Sequence, residues 1–388
     1  MVNGRNKYRI KDIFDLSAGG DVDKEHFSAY KTSEHRYPIY SNSLENHGLY
    51  GYTSNPKYSA DSVTITGRGS VGHAEYREDE FDAIIRLLVL EPKSSNVCVQ
   101  FVADYINNCV DFSLESTGVP QLTAPQIMNV ELELPHYDEQ KEVTTVLADV
   151  SSLIDMLGKQ ISKKKAIKQG AMQELLTGKR RLPGFSGEWR YFNLMKNSKV
   201  KARIGWQGLK KSEYLDSGYA LLVTGTDFDD GRVLWDRCHY VTRSRYEQDR
   251  NIQLQNNDIL ITKDGSLGKA ALVQGLTKPA TLNSGIFVIR PLQDACDPVF
   301  VYQILSSFVF KNFLDRLSAG STIIHLYQKD VGKFEILLPP TIAEQKAIAE
   351  ALSEMDSDIA ALENKLTKYR QVKQGMMQQL LTGKIRLV

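Results

Sequence analysis

The sequence predicts an α+β protein that contains the same two-part unit twice: a globular domain of mixed strands and helices, followed by one long helix. Three observations support this prediction. They are an internal repeat, helical spacing of apolar residues in both copies of the repeat, and strand-like segments with glycine turns before each copy. We place the globular domains at 1–135 and 183–338, and the helices at 136–182 and 339–388.

The repeat is clearest in the two predicted helices. Placing residues 134–182 over 339–387, an offset of 205, gives 21 identities in 49 positions. Repeats of solenoid proteins have only about 20–50 residues, so this much longer period indicates that a whole domain and its helix are duplicated. The shared motifs are Glu-Gln-Lys at 139–141 and 344–346, and Leu-Leu-Thr-Gly-Lys at 175–179 and 380–384.

Apolar residues in both segments recur at steps of three and four over about four heptads, which predicts a long helix with one apolar seam. Prolines precede both starts, and Thr-Gly dipeptides at 177–178 and 382–383 provide the stops. Two such helices most simply pack on each other, although each could instead pack on its own globular domain. The seams are Val143, Leu147, Val150, Ile154, Leu157, Ile161 and Ile167, and Ile348, Leu352, Met355, Ile359, Leu362, Leu366, Tyr369, Val372 and Met376.

Basic residues crowd the C-terminal part of each predicted helix. Solvation and the helix dipole account for them, and contact with nucleic acid or a protein partner is the alternative. They are Lys163, Lys164, Lys165, Lys168, Lys179, Arg180 and Arg181 in the first helix, and Lys365, Lys368, Arg370, Lys373, Lys384 and Arg386 in the second.

The globular domains share ordered, weaker similarities. Residues 63–72 resemble 259–268, and both combine a short β-branched run with a glycine turn, which suits a loop that brings backbone N–H groups close to a ligand. A second loop at 116–122 resembles 318–324. Further strands are expected at 84–90, 285–289, 130–134 and 334–338.

Composition excludes several classes of protein. The 48 Lys and Arg nearly balance 47 Asp and Glu, so a uniformly basic surface is excluded but local basic patches are not. Four scattered cysteines without a CxxC pair argue against a disulfide framework or a zinc ribbon and fit a reducing cytosol. The absence of a long apolar run and of a signal peptide predicts a cytoplasmic protein with no membrane contact.

Catalytic motifs are weak or missing, so we expect no catalytic residue and no metal site. Residues 67–72 fit GxGxxG. A dinucleotide-binding fold requires a helix directly after this motif and an acidic residue about 20 positions further on, whereas here a polar segment leads into another strand-like run. Asp358, Glu363 and Lys365 have the residue types of a nuclease centre, yet in a heptad helix they more simply form a solvated face. Phosphate-loop and HExxH motifs are missing, and the seven histidines are scattered.

Two variable globular halves, each followed by a helix that closes with QxLLTGKxRL, resemble the specificity subunit of a prokaryotic type I restriction-modification system. Residues 173–185, followed by Trp189, are similar to the central junction of that family, and 378–387 mirror its beginning. Residues 258–269 and 118–123 are similar to loops of the family's target-recognition domains. One departure is Arg68, which is not followed by the acidic residue that is more usual there.

The resemblance implies a subunit that performs no chemistry and binds no cofactor. Each target-recognition domain, at 1–135 and 183–338, would bind one half of a split, asymmetric sequence in double-stranded DNA. The two helices would pair as an antiparallel coiled coil that sets the gap, which gives the chain pseudo-twofold symmetry. Two modification subunits, which use S-adenosylmethionine to methylate adenine, and up to two restriction subunits, which use ATP and Mg, would be the partners.

The helix length and the loop residues give further expectations. From Glu139 to Leu175, 37 residues would span about 55 Å, which predicts half-site centres about one to one and a half DNA turns apart. Phosphate contacts are expected from Arg68, Ser70, Lys263, Ser266 and Lys269. Contacts with bases are expected from Tyr40, Ser41, Asn42 and Lys57 in the first domain, and from Thr224, Arg243, Arg245, Thr322 and His325 in the second.

Two alternatives stay open. A free-standing methyltransferase or nuclease would require S-adenosylmethionine or metal binding by this chain, and no motif supports it. A coiled-coil scaffold that joins two protein-binding domains would leave the corresponding glycine loops of both halves unexplained.

Overall fold

A computed structural model describes residues 4–112, 121–292, 296–318 and 325–387. The chain forms two compact units, each of which combines distant parts of the sequence. The first unit contains Met1–Lys159 and Glu363–Val388, and the second contains Gln160–Leu362. Each unit therefore contains one globular domain, the first part of the helix that follows it and the last part of the other long helix.

The first unit begins with short strands and ends with the start of a long helix. Its strands are β1 (Asn6–Arg9), β2 (Phe14–Ala18), β3 (Phe27–Ser28), β4 (Tyr37–Tyr40), β5 (Leu49–Thr53), β6 (Ser62–Ile65), β7 (Ala74–Arg77), β8 (Asp82–Ala83), β9 (Leu88–Pro92) and β10 (Glu131–Leu134). Its helices are α1 (Ile10–Ile13), α2 (Val99–Cys109), α3 (Ala124–Met128) and α4 (Tyr137–Leu175), of which α4 continues into the second unit.

The second unit follows the same plan with more strands. These are β11 (Arg190–Asn193), β12 (Ser198–Ala202), β13 (Ala220–Val223), β14 (Phe228–Asp229), β15 (Arg232–Val233), β16 (His239–Val241), β17 (Ile259–Thr262), β18 (Ala270–Leu272), β19 (Ala280–Leu282), β20 (Ile286–Pro291) and β21 (Glu335–Leu338). Its helices are α5 (Arg243–Glu247), α6 (Pro298–Leu305), α7 (Phe308–Ser318), α8 (Gln328–Val331) and α9 (Ile342–Leu380), and α9 continues into the first unit.

Both units contain the same four-strand arrangement. The order is β2-β9-β6-β7 in the first unit and β12-β20-β17-β18 within a six-stranded sheet in the second. All neighbouring strands in these two sets are antiparallel. A two-stranded pair, β1-β10 or β11-β21, lies just before each long helix. This correspondence agrees with the predicted duplication and with the predicted α+β class.

Both predicted long helices are present, but they are shorter than 136–182 and 339–388: each has 39 residues, and they end at Leu175 and Leu380. The predicted stops are also confirmed, because Gly178 and Gly383 both adopt a φ of +70°. The apolar seams take part in two kinds of packing. In the first unit Val143 and Leu147 of α4 lie in one buried cluster, Met376 of α9 packs against it, and residues of the globular domain complete that cluster. Helix-on-helix packing and packing on the globular domain, posed above as alternatives, therefore occur together.

Ion pairs fix the direction in which α4 and α9 pair. In the second unit Lys164 binds Asp358 (2.6 Å) and Lys168 binds Asp356. Because residue numbers rise on one helix as they fall on the other, the segments are antiparallel. The sequence predicted that these lysines are solvated or contact a partner, and it did not predict these ion pairs. Their acidic partners lie almost 200 residues away in the chain. Asp358, considered above for a nuclease centre, is one of these partners.

The repeated glutamines attach each long helix to its globular domain. Gln140 accepts a hydrogen bond from the Cys98 backbone N–H (2.9 Å), which lies at the start of α2. Gln345 accepts the corresponding bond from Asp297 (2.9 Å), which lies at the start of α6. Both glutamines are buried and also donate to a proline carbonyl just before their own helix. The Gln of the Glu-Gln-Lys motif therefore satisfies buried backbone groups at a junction.

The strand expected at 84–90 is only partly correct. Strand β9 begins at Leu88, and the preceding residues form a tight turn in which Ile85 and Arg86 have φ values of +54° and +56°. An unbroken apolar run suggested one strand, but no periodicity distinguishes a strand from a buried turn over so few residues.

Candidate nucleic-acid interface

In each unit the corresponding loops meet at one edge of the four-strand arrangement. Strands β12 and β17 are both antiparallel to β20, so they run in the same direction and end at the same edge. The segment after β12, the turn before β20 and the glycine loop after β17 therefore lie side by side. By the same argument, the segment after β2, the turn before β9 and the glycine loop after β6 lie together in the first unit. We call each of these the loop edge.

The two glycine loops have the same hydrogen bonds. The Thr66 hydroxyl donates to the Ser70 carbonyl and accepts from the His73 N–H (3.0 Å), and Gly72 N–H donates to the Thr66 carbonyl (2.8 Å). In the second unit the Thr262 hydroxyl donates to the Ser266 carbonyl and accepts from the Lys269 N–H (2.9 Å). The buried threonine therefore sets the curvature of each loop and leaves Ser70 and Ser266 exposed at its tip.

A second loop contacts each glycine loop at an equivalent place. Arg68 donates to the Gln121 side chain (3.2 Å), and Asp264 contacts the His325 imidazole. Isolated β-bridges join the same two pairs. Arg68 thus occupies the place of Asp264, not that of Lys263. This explains why Arg68 is not followed by an acidic residue: Arg68 itself lies at the position where the second unit has its acidic residue.

The candidate base-contacting residues of the first unit all have partners within the protein. Asn42 accepts from the Gly67 N–H (2.8 Å) and donates to the Ile85 carbonyl (2.6 Å), so it braces two parts of the loop edge. Lys57 forms an ion pair with Asp82 (3.1 Å). Tyr40 is half-buried beneath the Arg77 guanidinium, and burial raises its pKa. Ser41 N–H and hydroxyl both contact the Gly48 carbonyl.

The candidates of the second unit fall into two groups. Lys263, Ser266, Lys269 and His325 belong to the loop edge, and Lys269 also donates to the Phe228 carbonyl. Thr224 is adjacent, because Gly225 approaches the Thr262 side chain.

Arg243 and Arg245 lie on α5, where their ion-pair partners are Glu247 (2.7 Å) and Glu213 (2.6 Å). No hydrogen bond or ion pair between described residues joins these two arginines to the glycine loop. Thr322 lies outside the described residues. The role of every one of these residues in DNA binding stays a prediction.

Sequence reasoning missed the residues that extend this surface. Trp206 is 77% exposed in the segment after β12, next to the exposed Ile204. Arg203 anchors that segment from below through bonds to the Leu282 carbonyl (2.8 Å) and the Thr281 hydroxyl (3.2 Å), and burial lowers its pKa. A tryptophan in sequence is more typical of a buried core position, so its exposure becomes evident only in the folded chain.

Comparison with known proteins identifies the family to which the repeated unit belongs. The type I restriction modification DNA specificity domain family matches residues 4–166 and 207–373, one match in each half of the chain. The chain belongs to this family. A type I restriction enzyme specificity subunit of Methanocaldococcus jannaschii is 25% identical over 289 residues, which cover 70% of this chain and 66% of that protein. The match thus spans slightly less than two thirds of that relative.

Solved structures support the same fold. The type I restriction-modification S subunit from M. genitalium matches with a TM-score of 0.66 at 14% identity, over 98% of this chain and 97% of the other. A chain from a study of complex assembly and conformational transition in a type I system matches with a TM-score of 0.61 at 14% identity, over 98% of both chains. Within the described residues, no helix has the length and apolar character needed to cross a membrane. The same part of the chain contains no group of three or more His, Cys, Asp or Glu placed to hold a metal ion.

Proposed function

We propose that this chain is the non-catalytic DNA-specificity subunit of a type I restriction-modification complex. Each unit binds one half of a bipartite, asymmetric target in double-stranded DNA, and the antiparallel α4–α9 pair sets the spacer. The chain recruits two modification subunits and up to two restriction subunits. S-adenosylmethionine, ATP and Mg are bound by these partners and not by this chain.

One observation carries the proposal. Each unit has a glycine loop at its loop edge, and the two glycine loops have the same hydrogen bonds. The chain that contains both loops belongs to the DNA specificity domain family. Exposed serines, lysines and backbone N–H groups of glycine turns are the usual ligands of DNA phosphates. Two such surfaces in one chain suit a target in two parts.

Methylome sequencing tests the proposal. A host without its own methylation expresses the full chain with its modification subunit, the chain alone, or the modification subunit alone. We expect a split motif that contains methyladenine only when both proteins are present. Replacing 1–135 by the first domain of a relative should change only one half of that motif. Methylation by this chain alone would reveal an active site, and a well-folded complex without any motif would favour the protein scaffold.

A further inference from the structure

An exposed isoleucine occupies a strained position at the loop edge of the first unit. Ile85 has a φ of +54°, and the next residue, Arg86, has a φ of +56°. The left-handed region is unfavourable for side chains with a Cβ, and a β-branched residue there is a clear outlier. Glycine or asparagine would fit this turn better.

Hydrogen bonds on every side hold Ile85 in this conformation. Its N–H donates to the Gly20 carbonyl (3.0 Å), and its own carbonyl accepts from the Asn42 amide (2.6 Å). The Arg86 N–H donates to the Gly19 carbonyl (3.0 Å). Strain of this kind persists only where the surroundings over-determine it, and such positions concentrate at functional sites.

Packing does not explain the choice of isoleucine. The side chains on either side of the turn, Ile84 and Leu87, are buried, whereas Ile85 is 56% exposed. An exposed β-branched side chain contributes little to the core and adds strain to the backbone. The sequence therefore maintains an apolar group on the surface at a cost to folding.

The charges around Ile85 favour nucleic acid as its partner. Arg86 is exposed, and it lines with Arg68 a concavity of about 230 Å³ beside the glycine loop. Asn42 ties Ile85 directly to this loop through its second bond, to the Gly67 N–H. An exposed apolar side chain close to arginines is an arrangement by which proteins touch bases while cations bind the neighbouring phosphates.

We propose that Ile85 makes an apolar contact with a base of the half-site that the first unit binds, with Arg68 and Arg86 on neighbouring phosphates. This inference rests on the proposed function and adds a specificity-determining residue to it. The left-handed turn serves to project the side chain out of the sheet edge toward the groove.

The test compares variants of the full chain assembled with its modification subunit, on a duplex that contains the methylated motif. Ile85→Gly relieves the strain and removes the apolar group, so we expect an unchanged or raised melting temperature. Affinity for the target should fall at least about five-fold, the loss of one base contact. Ile85→Val should retain near-normal affinity. Asp61→Gly, at another left-handed position before the start of β6, is the matched control and should leave affinity unchanged.

Modified duplexes identify the kind of base contact. If the contact is with a thymine methyl group, replacing that thymine by uracil should reduce wild-type affinity as much as Ile85→Gly does. If Ile85 instead enters a base step, 2-aminopurine at that step should fluoresce with the wild type and not with Ile85→Gly. Either result supports the proposal. Affinity of Ile85→Gly within two-fold of wild type overturns it, as does a loss of affinity with neither signature. Absence of any split motif with the wild-type complex would instead refute the proposed function.

Discussion

Arg181 donates through Nε and Nη2 to both carboxylate oxygens of Glu344, which is completely buried. The repeat places a second pair at the equivalent positions, where Arg386 donates to Glu139. Each pair joins the segment after one long helix to the start of the other, the first pair within the second unit and the second pair within the first. The Glu of the Glu-Gln-Lys motif and the Arg that follows Thr-Gly-Lys are therefore partners across the repeat.

Arg181→Ala should destabilise the protein strongly, because it leaves the buried Glu344 carboxylate without a counter-charge. Breaking a buried pair from one side costs roughly 3–5 kcal/mol. Arg386→Ala should cost less, since the Arg386 side chain is 45% exposed and its removal therefore opens the Glu139 carboxylate to water. Urea unfolding measures both. Arg180→Ala, which breaks an exposed pair with Glu174, is the control, and an equal loss in all three variants would refute this reasoning.

Gln345→Ala should also destabilise the second unit. The substitution leaves the buried Asp297 N–H without an acceptor, and an unsatisfied buried donor costs about 1–3 kcal/mol. Gln371→Ala, on the exposed face of the same helix, should change the free energy of unfolding by a few tenths of a kcal/mol at most. Thermal unfolding compares the two variants. Equal melting temperatures would contradict the role of Gln345 as the acceptor of the Asp297 N–H.

Local patterns explain which parts of the fold were predictable. The three-four spacing of the helices and the glycine turns after β6 and β17 depend on neighbouring residues, so the sequence displays them directly. The ion pairs of Lys164 and Arg181 do not follow from local patterns, because each partner lies more than 160 residues away. These contacts can be predicted only when the antiparallel register of α4 and α9 is known.

The same distinction applies to the candidate site. The correspondence of 63–72 with 259–268 identified the glycine loops, since the threonine and glycines that shape them are adjacent in sequence. The bracing of Gly67 and Ile85 by Asn42 was hidden, because the three residues meet only through the sheet. The same correspondence places Arg68 over Asp264, and the structure agrees, because each of these two residues forms a β-bridge with the second loop.

Two glycine substitutions in one loop should differ in their effect. Gly268 has a φ of +76°, and a Cβ there would collide with the Leu314 side chain, whereas Gly265, at +70°, faces open space. Gly265→Ala should cost roughly 1–2 kcal/mol from backbone strain alone, and Gly268→Ala more, by the cost of displacing the Leu314 side chain. Thermal unfolding gives the order, and the reverse order would show that the loop is shaped differently.

Acid should weaken the contact between Glu213 and Arg245. The hydrogen bond from Arg245 lowers the pKa of Glu213 from its ordinary 4.5 to about 2. A carboxyl whose folded-state pKa is lowered stabilises the fold above its unfolded-state pKa, and the gain disappears as pH falls through the folded value. The stability difference between wild type and Glu213→Gln should therefore be constant above about pH 5 and shrink between 4.5 and 2. A difference that did not change over this range would contradict the pairing.

Arg68→Ala should weaken DNA binding uniformly if Arg68 binds a phosphate. Loss of one phosphate contact lowers affinity for target and non-target duplexes alike and reduces the slope of log K against log salt by about one. Fluorescence anisotropy of the assembled complex between 50 and 200 mM salt measures both quantities. Lys7→Ala, whose exposed lysine pairs with Glu133 away from the loop edge, is the control of equal charge and should leave the slope unchanged. A loss confined to the cognate half-site, with an unaltered slope, would instead make Arg68 a base contact, because only groups that touch base edges distinguish one sequence from another.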